Sequence, residues 1–397
     1  MNPGMAAQAP RASMVGMYPP LAGVRKIVVL RPNAIGDFVF ALPALHALKH
    51  CYPEAELVLV GKAWHSAFLA VRPGPVDRVI AIPAVPGVGA PPDAASAAVS
   101  PDQREGMNIV VDFIERMRAE RFDLALQMFG GGRYSNPFLL QFGARLTVGA
   151  RADDAPGLDR WLPYREPVNR RLALLEIAGL AGAWPGPMPM PELTVTDADR
   201  RAAAQALPPA MASGRHLVIL QPGSTDPRRC WPAERFAALG DLLVAEGAQV
   251  AINGSPAEAA LVRAVAGRMR HRATVLAGAL DLGGLCGLLE RAALVVSNDT
   301  GPLHLALALG VPSVGIFWLT NLLEGMPLRA SGLRAALSVR TRCSVCGQDN
   351  LARRCVHDAS FVDEVALDEV LALARAALAE AEAATNLPIR GPAARGG

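Results

Sequence analysis

The groups in this chain best placed for chemistry sit in short loops rich in Gly and Pro, each entered from an apolar run and left through a helix-like one. In Arg31-Pro32-Asn33-Ala34-Ile35-Gly36-Asp37, the carboxylate of Asp37 has two uses. It can cap the helix that follows, or it can act as a general base and take the proton of an attacking hydroxyl. Gly36 lets the backbone approach a ligand or merely makes the turn. Gln221-Pro222-Gly223-Ser224-Thr225-Asp226-Pro227-Arg228-Arg229-Cys230-Trp231-Pro232 brings hydroxyls, free N–H groups and two Arg to a helix start. Oriented N–H donors and a bidentate guanidinium fork suit a phosphate, and a solvated Arg pair is the plainer reading. No GK[ST] follows the glycine, so the loop is not of the Walker type. Ser297-Asn298-Asp299-Thr300-Gly301-Pro302-Leu303-His304 repeats the arrangement. Thr300 and Gly301 can present amides to a diphosphate, Asp299 can reach a hydroxyl, and His304 lies one helical turn inside, as a ligand contact or a buried core histidine. Glu258, after Gly254-Ser255-Pro256-Ala257, is a further hydroxyl acceptor or only an acid in a first helical turn.

Cys343-Ser344-Val345-Cys346, with Cys355 and His357 following, opens like a zinc site. The remaining spacing is cramped and the fourth ligand is not evident, so reduced thiols in a loop, without metal, are the expectation. Cys51, Cys230 and Cys286 are dispersed, and no Ser-His-Asp or HExxH pattern anchors hydrolase chemistry.

These loops need elements to hold them. KIVVLR (26–31), a turn, an amphipathic helix FVFALPALHALKHCY and ELVLVG (56–61) form a βαβ unit. An Ala- and Pro-rich surface loop over 83–101, a helix over 102–120 and the strand DLALQMF (123–129) continue the alternation. The Pro-dense stretch 151–212, with one helix near 168–181, holds the interdomain connection. A second run then has strands at 216–220, 248–253, ATVLAG, ALVVSN and PSVGIF, with helices between. The expected architecture is α/β, with two Rossmann-like doubly wound parallel-sheet domains facing across a cleft, ligand loops at the carboxyl ends of the strands, and a C-terminal helix packing back. The expected boundaries are a disordered leader 1–23, a first domain 24–190, a linker 191–213, a second domain 214–361, a helix 362–384 and a disordered tail 385–397.

Length and composition fit this. The 397 residues are more than twice the ~150 of one ordinary domain. Hydrophobic residues at 51% against 19% charged exclude a disordered chain. A net charge of +3, from 39 basic and 36 acidic residues, is too near balance to grip nucleic acid. Six cysteines, no signal-like start and no membrane-length apolar run point to a reducing cytoplasm.

The residues resemble glycosyltransferase family 9, the heptosyltransferases that extend the lipopolysaccharide inner core. The resemblance lies in VVLRPNAIGDFVFALPALHALKHCYPEAELVLVG, PGSTDPRRCWPAERFAALGDLL, VVSNDTGPLHLALALGVPSVGIF and CSVCGQDNLARRCVHDASFVDEV, in the family's order over residues 25–380. It implies a GT-B fold, with a nucleotide-sugar donor held by the second domain and an acceptor held by the first, beside Asn33 and Gly36. Asp37 matches the family's catalytic base for inverting transfer. Arg229 stands where many members have a donor-phosphate Lys, a change of shape at constant charge. Ser224 and Thr225 match the hydroxyl pair, Asp299, Thr300 and Gly301 the diphosphate loop, and His304 the histidine after it. Two segments depart from the pattern: Phe317-Trp318-Leu319-Thr320 replaces a Gly-Pro-Thr-type turn, and Asn33-Ala34-Ile35 replaces a more hydroxyl-rich loop.

The leading reading is therefore an inverting transfer of a sugar, heptose from ADP-heptose, to a lipid A-linked core acceptor, with no cofactor or metal required. Peripheral contact with the inner membrane would use Arg116, Arg118, Arg121 and Arg133, for which a solvated charged face is the plainer account. A nucleotide-sugar epimerase of similar architecture, or a non-catalytic nucleotide-sugar or glycan-binding protein, are the alternatives.

Overall fold

A computed structural model describes residues 18–92, 101–184, 186, 189–212, 216–329 and 332–385. The chain divides into two units, Met1–Thr194 and Val195–Gly397. In the first, strands β1 (Lys26–Leu30), β2 (Glu56–Gly61), β3 (Arg78–Ala81), β4 (Leu124–Gln127), β5 (Leu146–Arg151) and β6 (Arg160–Pro163) form one sheet in the order β3-β2-β1-β4-β5-β6. Every pairing is parallel; β1 sits centrally, Val28 registering with Val58 on one side and Ala125 on the other. Helices α1 (Ile35–Cys51), α2 (Ala63–Leu69), α3 (Pro101–Ala119), α4 (Ser135–Leu140) and α5 (Arg170–Leu180) connect the strands or follow them. Central strands are covered on both faces, which is why KIVVL and ELVLVG read as unbroken apolar runs. Helix α1 is not the amphipathic helix its sequence suggests. It buries Phe38 to Leu45 consecutively, then Ala47 and Leu48, because α5 packs on it as well as the sheet.

The second unit repeats the plan. Helix α6 (Asp197–Ala206) precedes β7 (Leu217–Gln221), α7 (Ala233–Ala245), β8 (Gln249–Gly254), α8 (Ala259–Arg268), β9 (Thr274–Ala277), α9 (Leu282–Glu290) and β10 (Leu294–Asn298). Then follow α10 (Gly301–Ala308), β11 (Ser313–Trp318), α11 (Leu319–Gly325), β12 (Leu333–Ser338) and α12 (Leu367–Thr385). The sheet order is β12-β11-β10-β7-β8-β9, again all parallel. In both sheets the order reverses beside the first strand, at β1/β4 and at β7/β10, and that switch point is where the carboxyl-end loops splay into a crevice. Helix α12 puts Val370, Leu371, Ala374 and Ala377 into the core formed by β7, β8, β10 and α7 around Trp231 and Phe236.

Several sequence boundaries change. Of the expected leader, residues 1–17 lie outside those described. Tyr18 packs its ring under the Arg160 guanidinium, and Leu21 N donates to the Tyr52 hydroxyl at 2.9 Å, so 18–23 belong to the first unit. That unit runs to Thr194, whose carbonyl accepts from Arg72. The expected linker 191–213 contains α6, whose Thr196–Asp199 capping box starts a helix that packs on α9. The last helix begins at Leu367 rather than 362. The tail from 386 and the middle of the 83–101 loop, residues 93–100, lie outside the described residues.

Candidate functional site

In the second unit, three loops leave the carboxyl ends of β7, β8 and β10, and buried amides tie them together. Asn298, at the end of β10, donates from Nδ2 to Pro222 O at 2.7 Å and accepts at Oδ1 from Trp231 N at 3.0 Å, gripping the loop after β7 at both ends. Gln221 Oε1 accepts from Asn253 Nδ2 at 2.8 Å, joining β7 to β8. None of these amides could be left unpaired in the core without a cost of about 1–3 kcal/mol, so the loop conformation is well determined.

Within the loop the two arginines have different fates. Asp226 caps the 3-10 turn Pro227–Arg229 and takes the Arg228 fork on both oxygens, at 3.0 and 2.6 Å. That hydrogen-bonded fork holds the Asp226 carboxyl below its ordinary value and raises Arg228. Arg228 is thus spent on the loop itself. Arg229 donates from Nη1 to Asp299 Oδ2 at 3.2 Å, and Asp299 Oδ1 lies 3.0 Å from His304 Nε2. The Asp299 side chain is 8% exposed and that of Arg229 33%. A carboxylate this buried needs partners, and both Asp299 oxygens have them. Ser224 Oγ accepts from Asp226 N at 3.4 Å, and Thr225 is exposed. Thr300 is the N-cap of α10 with no side-chain cap bond, and Gly301 is the first helical residue; with Pro302 next and the Leu303 N–H donating to Thr300 O at 3.1 Å, the Gly301 N–H is the first-turn donor left for a ligand. Glu258 is also already engaged, since its Oε2 accepts from Ser255 N at 2.7 Å in a capping box. Its Oε1 lies where a Cβ on Gly223 would fall, 1.7 Å away, so residue 223 has room only for glycine while Glu258 keeps this pose.

In the first unit, Asp37 stands at the third position of α1, whose N-cap is Ala34 without a side-chain cap bond. Asp37 therefore does not cap the helix; its Oδ1 pairs with Arg31 Nη2 at 3.3 Å. Arg31, at the end of β1, also donates to Asp37 O through Nε and Nη2 and to Met128 O beyond β4, spanning the switch point. Burial pushes its guanidinium down to about 10, still charged at neutral pH. The Arg31 side chain is 6% exposed and that of Asp37 28%. The two ion pairs are mirror arrangements: in one a buried Arg presents an Asp, in the other a buried Asp presents an Arg. Asn33 Oδ1 is enclosed in the same loop without a hydrogen-bond partner among the described residues, and Gly36 lies in the first turn of α1.

Sequence reasoning missed Arg31, Asn298 and Gly223. An Arg that directly follows four apolar strand residues was a usable signal for the first. The other two depend on partners distant in the chain. Phe317 and Trp318, in the segment that departs from the family's Gly-Pro-Thr-type turn, pack into the unit: Phe317 with Leu303 and Leu307, and Trp318 stacked on Phe361. Cys343, Cys346, Cys355 and His357, expected as unliganded thiols with a stray histidine, bring their ligand atoms within 4.8 Å of one another, the set among the described residues that can hold a metal ion.

A model of glycosyltransferase family 9 (heptosyltransferase) matches residues 110–350, more than half of the sequence. The chain belongs to this family. It is similar to the lipopolysaccharide core heptosyltransferase OpsX of Haemophilus influenzae, 24% identical over 317 residues that cover 76% of this chain and 82% of that one. Lipopolysaccharide heptosyltransferase 2 of Salmonella typhimurium is 26% identical over 311 residues, 74% of this chain and 82% of the relative. Among solved structures, the E. coli ADP-heptose lps heptosyltransferase II superposes with a TM-score of 0.67 at 18% identity, covering 90% of this chain and 99% of that one. The enzyme is a family 9 glycosyltransferase of the GT-B class, built from two Rossmann-like units.

Proposed function

We propose that the enzyme transfers heptose from ADP-heptose to a lipid A-linked lipopolysaccharide core acceptor with inversion at the sugar carbon. The observation that carries this reading is the Arg229–Asp299–His304 chain beside the Gly301 N–H at the start of α10. It places a part-exposed guanidinium, held by a buried carboxylate, on the loops where doubly wound sheets bind nucleotides. The family membership and the ADP-heptose named for the E. coli structure support the donor.

In this reaction Asp37 accepts the proton of the acceptor hydroxyl as its oxygen bonds to the anomeric carbon. The bond from that carbon to the β-phosphate oxygen breaks, and its electron pair leaves with ADP. Arg229, Ser224, Thr225 and the Thr300 and Gly301 amides stabilise the charge that grows on the diphosphate, an effect commonly worth about 10²–10³ in rate per donor. Glu258, His304 and Asp299 shape that pocket. Asn33 and Gly36 belong to the acceptor side.

No helix among the described residues is long and apolar enough to cross a membrane. The acceptor's lipid would bring the enzyme to the cytoplasmic face of the inner membrane peripherally. Arg116, Arg118, Arg121 and Arg133 are the candidate contacts, although Arg118 already donates to Gln141 O and Arg133 pairs with Asp154. The test is turnover of ADP-heptose with a heptose-deficient lipid A-core acceptor, followed as ADP release and product mass. Wild type should form product, and Asp37→Asn should lose at least about 10³ in kcat while binding ADP normally. Near-normal turnover by that variant would remove Asp37 as base, and ADP release without glycan product would remove the acceptor assignment.

A further inference from the structure

We propose that Cys343, Cys346, Cys355 and His357 form a structural site for one thiophilic transition-metal ion, zinc, which clasps the segment 339–361 onto the loop that carries Arg228 and Arg229. The four ligand atoms lie within 4.8 Å of one another. Tetrahedral zinc with Zn–S of about 2.3 Å and Zn–N of about 2.0 Å sets its ligands about 3.5–3.8 Å apart, so a small inward adjustment completes the coordination.

The backbone around the cysteines is already shaped for it. Residues Arg342 and Asp349 pair as an antiparallel bridge, Cys343 N donates to Gln348 O and Gly347 N to Cys343 O, both at 2.9 Å, and Gly347 turns the chain at φ 73°. The two cysteines of the CxxC thereby sit on one tight turn. Two N–H donors aim at sulfur: Val345 N at Cys343 Sγ (3.4 Å) and Asn350 Nδ2 at Cys355 Sγ (3.6 Å). Such donors stabilise thiolates and orient them, as outer partners of metal ligands do. His357 keeps Nδ1 shut from solvent with no hydrogen-bond partner among the described residues. A disulfide would account for two converging sulfurs, but not for a third sulfur and an imidazole converging with them, and all six cysteines are free thiols.

A cross-link is also what the segment lacks. From 339 to 366 it has no helix or strand, and Val345, Leu351 and Val356 are 64%, 51% and 92% exposed, so no apolar core holds its tip. Its two ends are tied down. Arg340 O accepts from Trp318 Nε1 at 2.7 Å, Phe361 N donates to Arg228 O at 2.8 Å, and Ser360 Oγ donates to Cys230 O at 2.8 Å. An ion at the tip would stiffen the stretch that meets the 226–231 loop directly.

Full-length protein purified without added metal should contain about one equivalent of zinc, released when the thiols are titrated with a mercurial. Cobalt put in its place should give the intense visible bands of a tetrahedral thiolate site. Cys346→Ser, at an exposed position, should lower bound metal below about a tenth of an equivalent, while Cys51→Ser keeps it. Chelation should speed amide exchange in 226–231 about tenfold or more, a readout independent of sugar transfer. Wild-type protein with under about a tenth of an equivalent of zinc and only weak octahedral cobalt bands would overturn the proposal, as would a disulfide among these cysteines or full metal content in Cys346→Ser.

Discussion

A carboxylate beside the end of a parallel strand has to be wet or paired, and Asp37 and Asp299 are both paired with arginine. What separates them is which partner is buried. Asp37 is the exposed member of its pair, held by Arg31, while Arg229 is the exposed member of the other, held by Asp299. In the proposed reaction the exposed members meet substrate and the buried ones position them. Arg31→Lys keeps the charge but cannot span Asp37 O, Asp37 Oδ1 and Met128 O with one planar fork. It should lower kcat about 10- to 100-fold, roughly 1.4–2.7 kcal/mol in the barrier, and leave the ADP dissociation constant unchanged in calorimetry. Asp299→Asn should do the reverse, weakening ADP binding about tenfold with kcat at saturating donor less affected. If the two variants fall in the same kinetic parameter, the division of labour between the pairs is wrong.

The strands around the switch points were legible because burial on both faces makes them continuous apolar runs, as in KIVVL, LVILQ and LVVSN. The edge strands RVIA and RWLP are four residues long and only partly buried, so they carried no such run and went unseen. Helix α6 was hidden by the prolines around it although Thr196 and Asp199 had capping-box spacing. The site loops were legible by position, since polar residues between strand and helix stand out. Their pairings were not, because Arg229 and Asp299 are 70 residues apart and no local pattern records such a contact. Gly223 shows the same dependence at the level of one loop. A methyl there collides with Glu258 Oε1, and the carboxylate can yield only by leaving Ser255 N. Gly223→Ala should therefore destabilise the second unit by about 1 kcal/mol, the worth of a cap, and weaken ADP binding. The double variant Gly223→Ala/Glu258→Ala should show no further loss of stability in urea melts, since the second change removes the colliding group. Additive losses would mean the glycine is needed for another reason.

At the scale of the whole chain, two units with separate sheets and separate cores should answer to separate perturbations. Acid acts on the first. His65 is fully buried, accepts from Lys62 N on Nδ1 at 3.0 Å, stacks on Trp64, and is pushed by burial from its ordinary 6.5 to about 4. Its folded pKa is depressed, so its contribution is complete above about 6.5. As pH falls from there toward about 4, the unfolded chain binds a proton that the folded chain refuses, and stability drops by up to roughly 3 kcal/mol. His46, lowered in the same direction by burial, adds to the slope. Glu120, drawn down to about 2 by hydrogen bonds from Arg78 and Lys26, loses its contribution only at lower pH, below the ordinary glutamate value. If the proposed donor site holds, ADP should act on the second unit, adding about 2.7 kcal/mol at a hundredfold excess over its dissociation constant. Hydrogen exchange resolved by peptide should then show lost protection in 18–194 between pH 7.5 and 5.5 and gained protection in 195–385 with ADP. His65→Asn should flatten the first response and leave the second intact. ADP protection centred on 18–194 would move the donor site to the other sheet, and an unchanged acid slope in His65→Asn would remove that histidine as its source.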